Sequence, residues 1–469
     1  MSPTPQPARH RIWRDIREAI FGSRQDFTEG SIGRAVLLLA VPMVLEMSME
    51  SLFAIVDVFF VARLGADAIA TVGITEGMLT IVYGVAMGLS MATIAMVARR
   101  IGEKNPDGAA VAAVHSIVIG IVIAATAGVA GVWNAPKLLG LMGASTAIVR
   151  SGATYTAITF GGISGVFLLF LVNGTLRGAG DAPLAMRGLW IANAINIVLD
   201  PCQINGRGPF PRLGVTGAAV ATTTGRGIGG LLQLYILLGG KGRIVFRREH
   251  FKLNLEVMTR LLRVSASGMM QFLVATASWL GLVRIIAMFG SAALAGYTIA
   301  IRIMIFTILP SLGMANAAAT LVGQNLGARK PDRAERSVWL TGFYNMIFLG
   351  SVGLVFIVFA EPIVGLITSD AEVLRYATNC LRFVSYGYVF YAYGMVIVQA
   401  FNGAGDTLTP TVINLFCYWF WQIPMAYSLS RLAGFGPNGV FAAITIAEST
   451  LAVVAIVFFR RGKWKKQKI

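Results

Sequence analysis

The sequence predicts an all-α membrane protein with twelve transmembrane helices in two parallel six-helix repeats. Three observations carry this. The 469 residues are 56% hydrophobic and only 13% charged, whereas a soluble domain carries about 25% charged residues. Apolar stretches recur along the whole chain, as in SIVIGIVIAATAGVAGVW (116–133) and NMIFLGSVGLVFIVFA (345–360); about 18 such residues suffice to cross a hydrocarbon core as a helix. Finally, the chain matches itself at one constant offset of 225 residues.

In chain order, residues 1–33 form a polar, basic tail without the apolar core and cleavage site of a signal peptide. Residues 8–22, ARHRIWRDIREAIFG, suit either a basic helix lying on a membrane surface or a disordered tail. Six spans follow within 34–240, at 34–62, 68–98, 109–133, 147–176, 182–200 and 214–239. A basic linker occupies 241–263. Six more spans lie within 264–460, at 264–287, 293–325, 337–360, 373–401, 408–430 and 438–459, before a basic tail at 461–469.

The net charge of +17 suggests a nucleic-acid partner only until its distribution is examined. With both termini on one side, the segments of that side hold 27 Lys and Arg, against 7 on the other. This is the positive-inside bias. It places both termini in the cytoplasm, in the inner or plasma membrane, and explains the charge without nucleic acid. Cys202, Cys380 and Cys417 have no metal-ligand spacing and read as ordinary thiols.

The internal repeat runs through separated motifs. Gly65 falls on Gly290; Gly102, Pro106 and Asp107 fall on Gly327, Pro331 and Asp332; Gly178, Gly180 and Asp181 fall on Gly403, Gly405 and Asp406; Gly214 and Val215 fall on Gly439 and Val440. The GAGD turns read as tight glycine turns whose Asp caps the next helix. Six is even, so both halves insert with the same orientation, an arrangement that transporters use to place a cavity between rocking halves.

Where the halves disagree, the first is acidic and polar and the second is not. Asp57 maps to Leu282 and Glu46 to Gln271; Asn193, Asn196 and Asp200 map to Tyr418, Trp421 and Met425. Asn193, Asn196 and Asp200 follow i, i+3, i+7 and share a helix face, and Glu46, Glu50 and Asp57 share one on the first helix. Ionisable groups inside a span are costly and point to function. Competing readings stand beside this one. Asp57 and Asp200 lie toward span ends and Asp200 precedes Pro201, so both could be hydrated end residues, and Glu50 could be a packed neutral group. Glu76, Arg226, Arg284, Arg302 and Glu448 also fall inside spans, where ion pairing or snorkelling explains them without a role. The run CYWFWQ (417–422) is either a packing stripe or a wall for a flat cation.

The stretches DFTEGSIGRAVLLLAVP, DVFFVARLGADAIA, NGTLRGAGDAP, LDPCQINGRGPFPRLGVTGAAVAT and LVGQNLGARKPDRAE closely resemble the multidrug and toxic compound extrusion (MATE) transporters, in the prokaryotic branch of the DNA-damage-inducible protein F and its archaeal relatives. The resemblance covers about 27–460. It implies N- and C-lobes around a V-shaped cavity, and export of amphipathic organic cations in exchange for sodium or protons. It also implies an N-lobe cation-coupling site at Asp57, Asn196, Asp200 and Thr222, the same four serving sodium if sodium is the ion. The C-lobe glutamate and aspartate of another branch have no match. Gln271 stands at the former position and 376–401 contains no acid, so coupling is expected in the first half alone. Glu46, Glu50, Asn193, Gln271, Tyr418 and Trp421 are the expected substrate-cavity residues.

The expected partners are cationic small molecules and membrane lipid, with no cofactor, and the expected state is a monomer. A related flippase for a lipid-linked precursor is the alternative, for which a cavity lined with several cationic residues would be expected. An enzyme is not expected, since His10, His115 and His250 are scattered and no nucleophile or metal cluster accompanies them.

Overall fold

The structure, a computed structural model, describes residues 8–23, 25–467 and 469. Residues 1–7 and Arg24 of the basic tail, and Lys468, lie outside that set. Among the described residues the protein is helical throughout, without strands. A terminal helix α1 (Ala8–Phe21) precedes α2 (Ile32–Ala62), α3 (Ala66–Gly102), α4 (Pro106–Leu141), the pair α5 (Thr146–Gly161) and α6 (Ile163–Ala179), α7 (Ala182–Asn205) and α8 (Val215–Leu238). The second half holds α9 (Leu255–Ala287), α10 (Ser291–Gly327), α11 (Pro331–Gly365), the pair α12 (Ala371–Ser385) and α13 (Tyr388–Ala404), α14 (Leu408–Asn414), α15 (Ile423–Tyr427) and α16 (Pro437–Arg460). Among the described residues, the eight helices α2, α3, α4, α7, α9, α10, α11 and α16 and the α5–α6 pair are long and apolar enough to cross a membrane, and α12–α13, bent by 59°, make a tenth span.

The two halves repeat in conformation as well as sequence. Gly65 and Gly290 start α3 and α10 at φ 99° and 101°, and Gly180 and Gly405 close α6 and α13 at φ 88° and 84°. Only glycine takes such values without strain. Even the non-glycine residues of positive φ correspond, Lys104 at 60° and Arg329 at 58°. The fourth span of each half breaks at one repeat position, Gly162 and Gly387. That break carries no strong sequence signal of its own.

Between the halves, contact is backbone-close at the end of the bundle carrying both termini. A Cβ on Gly102 would stand 2.0 Å from the Gln324 carbonyl oxygen, and one on Gly327 would stand 2.1 Å from that of Arg99. Gly88 sits against Ser265 and Met269, and Gly313 against Met43. Gln324 Nε2 donates to the Gly178 carbonyl at 2.9 Å, and Thr320 Oγ1 to that of Arg177 at 3.0 Å. Toward the other end, Leu52, Ile55 and Phe59 of α2 and Ile305 and Phe306 of α10 are exposed. The halves therefore join at the end that carries both termini.

Several local expectations change. The second half begins with α9 at Leu255, nine residues before 264, because its first turns form an amphipathic extension with an Arg260–Glu256 pair. The linker before it is docked. His250 is buried and faces Asp107, and the Asn254 N–H donates to His115 Nε2 at 2.9 Å. Asp181 does not cap α7. It accepts from the Arg243 N–H at 2.6 Å and so ties the linker to the first GAGD turn. Asp406 in the second turn does accept from the Thr409 N–H. The C-terminal tail also packs inward, with Trp464 buried and stacked on Phe459 at 4.6 Å.

Candidate functional site

The site in the first half is built where α7 and α8 meet. Glycines on α8 set the approach: a Cβ on Gly225 would lie 2.7 Å from the Ala192 carbonyl oxygen, and one on Gly229 would lie 2.5 Å from Ala192 Cβ. Small residues let helix backbones come this close. Facing polar groups then meet, and Asn196 Nδ2 donates to Thr222 Oγ1 at 2.9 Å. One turn along, Asp200 is fully buried. Neither of its carboxylate oxygens, nor Asn196 Oδ1, accepts a hydrogen bond from the protein. Unpartnered polar atoms in an interior cost about 1–3 kcal/mol each, and more when charged. A proton or a cation would satisfy them. The donor set is all oxygen, which suits a hard cation such as sodium.

Asp57, half-buried on α2, lies within Coulombic range of Asp200, Glu76 and Arg226. The structure thus brings Asp57, Asn196, Asp200 and Thr222 into one neighbourhood of the first half. Asn193, on the same face of α7, donates instead to Glu50 Oε2 at 3.1 Å. Glu50 is also held by Arg226 Nη2 at 2.8 Å, and the Arg226 guanidinium lies 5.1 Å from the Phe53 ring centroid.

The expected cavity residues fare unevenly. Glu50 lines a small cavity of about 100 Å³ between the halves, with Arg177, Arg226, Asn173 and, from the second half, Leu309 and Leu312. Glu46 does not line it. It is wholly buried and paired with Arg177 through bonds of 2.7 and 3.1 Å. The expected acidic face is therefore largely neutralised, because an arginine from α6 and another from α8 each reach a glutamate on α2. Arg177 lies one residue past the expected span end at 176. The left-handed Gly180 shows that the helix runs on to Ala179, so counting back from that glycine would have placed Arg177 inside.

In the second half, Gln271 is buried with Oε1 unpartnered. Tyr418 lines a cavity on that side, whereas Trp421 is 42% exposed and lines none of the cavities described here. The physical reason is a π-helical stretch, Leu415–Gln422, between α14 and α15. An i→i+5 turn advances the chain by more residues. The i, i+3, i+7 face of α7 consequently does not transfer to its repeat, and Tyr418 and Gln422 face inward instead. Among the described residues no three His, Cys, Asp or Glu side chains form a metal-type cluster.

The MatE family model matches residues 42–202 and again 267–428, once in each half. The chain belongs to the MatE family, whose members are membrane transporters rather than enzymes. It is 25% identical over 449 residues to the probable multidrug resistance protein YoeA of Bacillus subtilis, covering 95% of this chain and 97% of that one. It is also 25% identical over 451 residues to the probable multidrug resistance protein NorM of Thermotoga maritima, at 93% and 94% coverage. A crystal structure of MATE in complex with MaL6 superposes with a TM-score of 0.88 at 26% identity, covering 94% of this chain and 99% of that one.

Proposed function

We propose that this chain is a secondary active multidrug efflux antiporter. It exports amphipathic organic cations in exchange for sodium or protons by alternating access, with coupling in the first half at Asp57, Asn196, Asp200 and Thr222. One observation carries the reading. Asp200 is buried with both oxygens unpartnered beside the Asn196–Thr222 bond, and the matching positions of the other half hold no acid. Such a carboxylate binds its counter-charge and releases it as the halves rock. A ligand shifts a conformational equilibrium only through differential affinity for the two states, and Asp200 supplies that difference for the ion. The basic bias supports cytoplasmic termini, and with them a joined end that faces inward. The flippase alternative is disfavoured because each arginine at the cavity is already held by a glutamate.

The test is dye efflux in proteoliposomes with sodium and pH gradients imposed separately, for the native chain and Asp200→Asn. The variant is nearly isosteric and should insert and bind dye, while gradient-driven efflux collapses. Near-normal efflux by folded Asp200→Asn protein under both gradients would reduce Asp200 to a helix-end residue.

A further inference from the structure

The break at Gly387 leaves α12 as a half-helix with a polar face of its own. Arg375, Thr378, Asn379 and Arg382 follow i, i+3, i+4, i+7 and share that face. With Leu374 and Glu361 of α11 they line a cavity of about 230 Å³. It lies away from the joint between the halves. α11 starts beside Gly327 at the joined end, so Glu361, near its other terminus, stands at the opposite end of the bundle.

The basic groups of this cavity are not spent on acids. Arg382 forms no salt bridge among the described residues. Its Nε donates to the Ile357 carbonyl at 3.2 Å, next to the kink of α11 at Phe359, and its two Nη groups stay free. Arg375 is exposed and only 3.9 Å from exposed Glu372, a pairing too loose to hold it. Thr378 is buried, yet its hydroxyl has no partner. Helical threonines elsewhere in this half, such as Thr298 and Thr450, bond back to the carbonyl one turn earlier. A buried hydroxyl that makes no such bond beside two free guanidinium groups is a donor awaiting an acceptor.

We propose that this cavity binds the phosphodiester of an anionic phospholipid, with Arg375 and Arg382 holding its charged oxygens and Thr378 donating a hydrogen bond. Guanidinium forks match phosphate oxygens in geometry as well as charge. Two arginines less one glutamate leave the cavity at +1, the complement of a phosphodiester monoanion. The lipid is favoured over free phosphate by the surroundings. Val355, Val358 and Phe359, within two turns of Glu361 on α11, are exposed and apolar. Acyl chains have a surface to lie on directly beside the headgroup site. The lipid belongs to the leaflet opposite the one that holds both termini. The repeat shows that the pair of arginines is particular to this half: Arg150 matches Arg375, but Ala157 stands where Arg382 does. The inference needs only a membrane-spanning chain and is independent of the antiport reading.

The experiment is photolabelling of the purified full-length protein in detergent micelles by phosphatidylglycerol with a diazirine in its acyl chain. Labelling of the 354–359 segment is read by peptide mass spectrometry. Arg375→Gln and Arg382→Gln should each lower it by about tenfold or more, the scale of one charged hydrogen-bonding group. Thr378→Val should lower it less, and Arg150→Gln should leave it unchanged. Unlabelled phosphatidylglycerol should compete, whereas diacylglycerol with the same chains and inorganic phosphate should not. Unchanged labelling in either arginine variant, or competition by diacylglycerol equal to that of phosphatidylglycerol, would overturn the proposal. Equal competition by inorganic phosphate would overturn the lipid in favour of a free anion. If Arg382→Gln does not fold for want of its bond to Ile357, Arg375→Gln decides, since Arg375 holds no such bond.

Discussion

Gly102 and Gly327 are repeat counterparts 225 residues apart, and they meet: a Cβ on Gly327 would lie 3.0 Å from Gly102 Cα. The joint between the halves is thus a near-twofold crossing of α3 and α10, made at two glycines because nothing larger fits. The same contact explains why the GEKNP and GARKP motifs match so well.

Gly327→Ala should therefore loosen that joint. Its added methyl would meet the Arg99 carbonyl oxygen at 2.1 Å, and backbone cannot swing away as a flexible side chain can. Overpacking of this kind costs about 1–3 kcal/mol. A lowered melting temperature is the expected outcome. An unchanged melt would show that the joint is softer than its geometry implies.

The buried Glu46–Arg177 pair gives a sharper test. Removing only Arg177, as Arg177→Leu, strands a fully buried carboxylate and should destabilise by about 3–5 kcal/mol. The double variant Glu46→Leu with Arg177→Leu should recover most of that loss. Thermal melts of the two singles and the double form the cycle. Additive losses would mean that the pair is not coupled.

Thr222→Val removes the hydroxyl that accepts from Asn196 and changes shape little. If the four-residue coupling site is correct, ion-driven efflux should drop sharply while melting temperature moves by about 1 kcal/mol equivalent, the scale of one hydrogen bond. Gln271→Ala should weaken efflux of some dyes and leave ion coupling intact. Lost ion binding in folded Gln271→Ala protein would count against coupling in the first half alone.

At the joined end, Asp26 accepts hydrogen bonds from Lys104 and Thr28. Burial pushes its carboxyl up, but the Lys104 ammonium and the Thr28 hydroxyl and N–H outweigh it and hold it at about 2. A depressed carboxyl contributes stability above its unfolded value and loses it as pH falls through the folded one. Protection of the 25–30 amides against hydrogen exchange, relative to their intrinsic rates at each pH, should therefore fall between about pH 4 and pH 2. In Lys104→Met that dependence should flatten. Equal profiles for the two proteins would remove Asp26 as the anchor.

Orientation is open to direct measurement. Lys466→Cys, exposed on the C-terminal tail, should resist an impermeant thiol reagent added to intact cells. Efficient labelling would invert the assigned topology.

Membrane class, the two halves, the chain order of the spans and the polar bias of the first half were legible in the sequence. Each depends on local chemistry: hydropathy over about 18 residues, glycines at fixed positive φ, and acids whose presence in an apolar span is itself the signal. What the sequence left open required neighbours from distant segments. Glu46 and Glu50 read as bare acids until Arg177 and Arg226 arrived from α6 and α8, because pairing is decided by which helices touch. Trp421 read as a cavity wall until a π-helical turn rotated it outward, since side-chain direction depends on accumulated backbone twist that residue types do not encode. Arg375 and Arg382 read as part of one long span. Only folding showed that the break at Gly387 sets them on a half-helix of their own, beside a buried threonine hydroxyl with no partner.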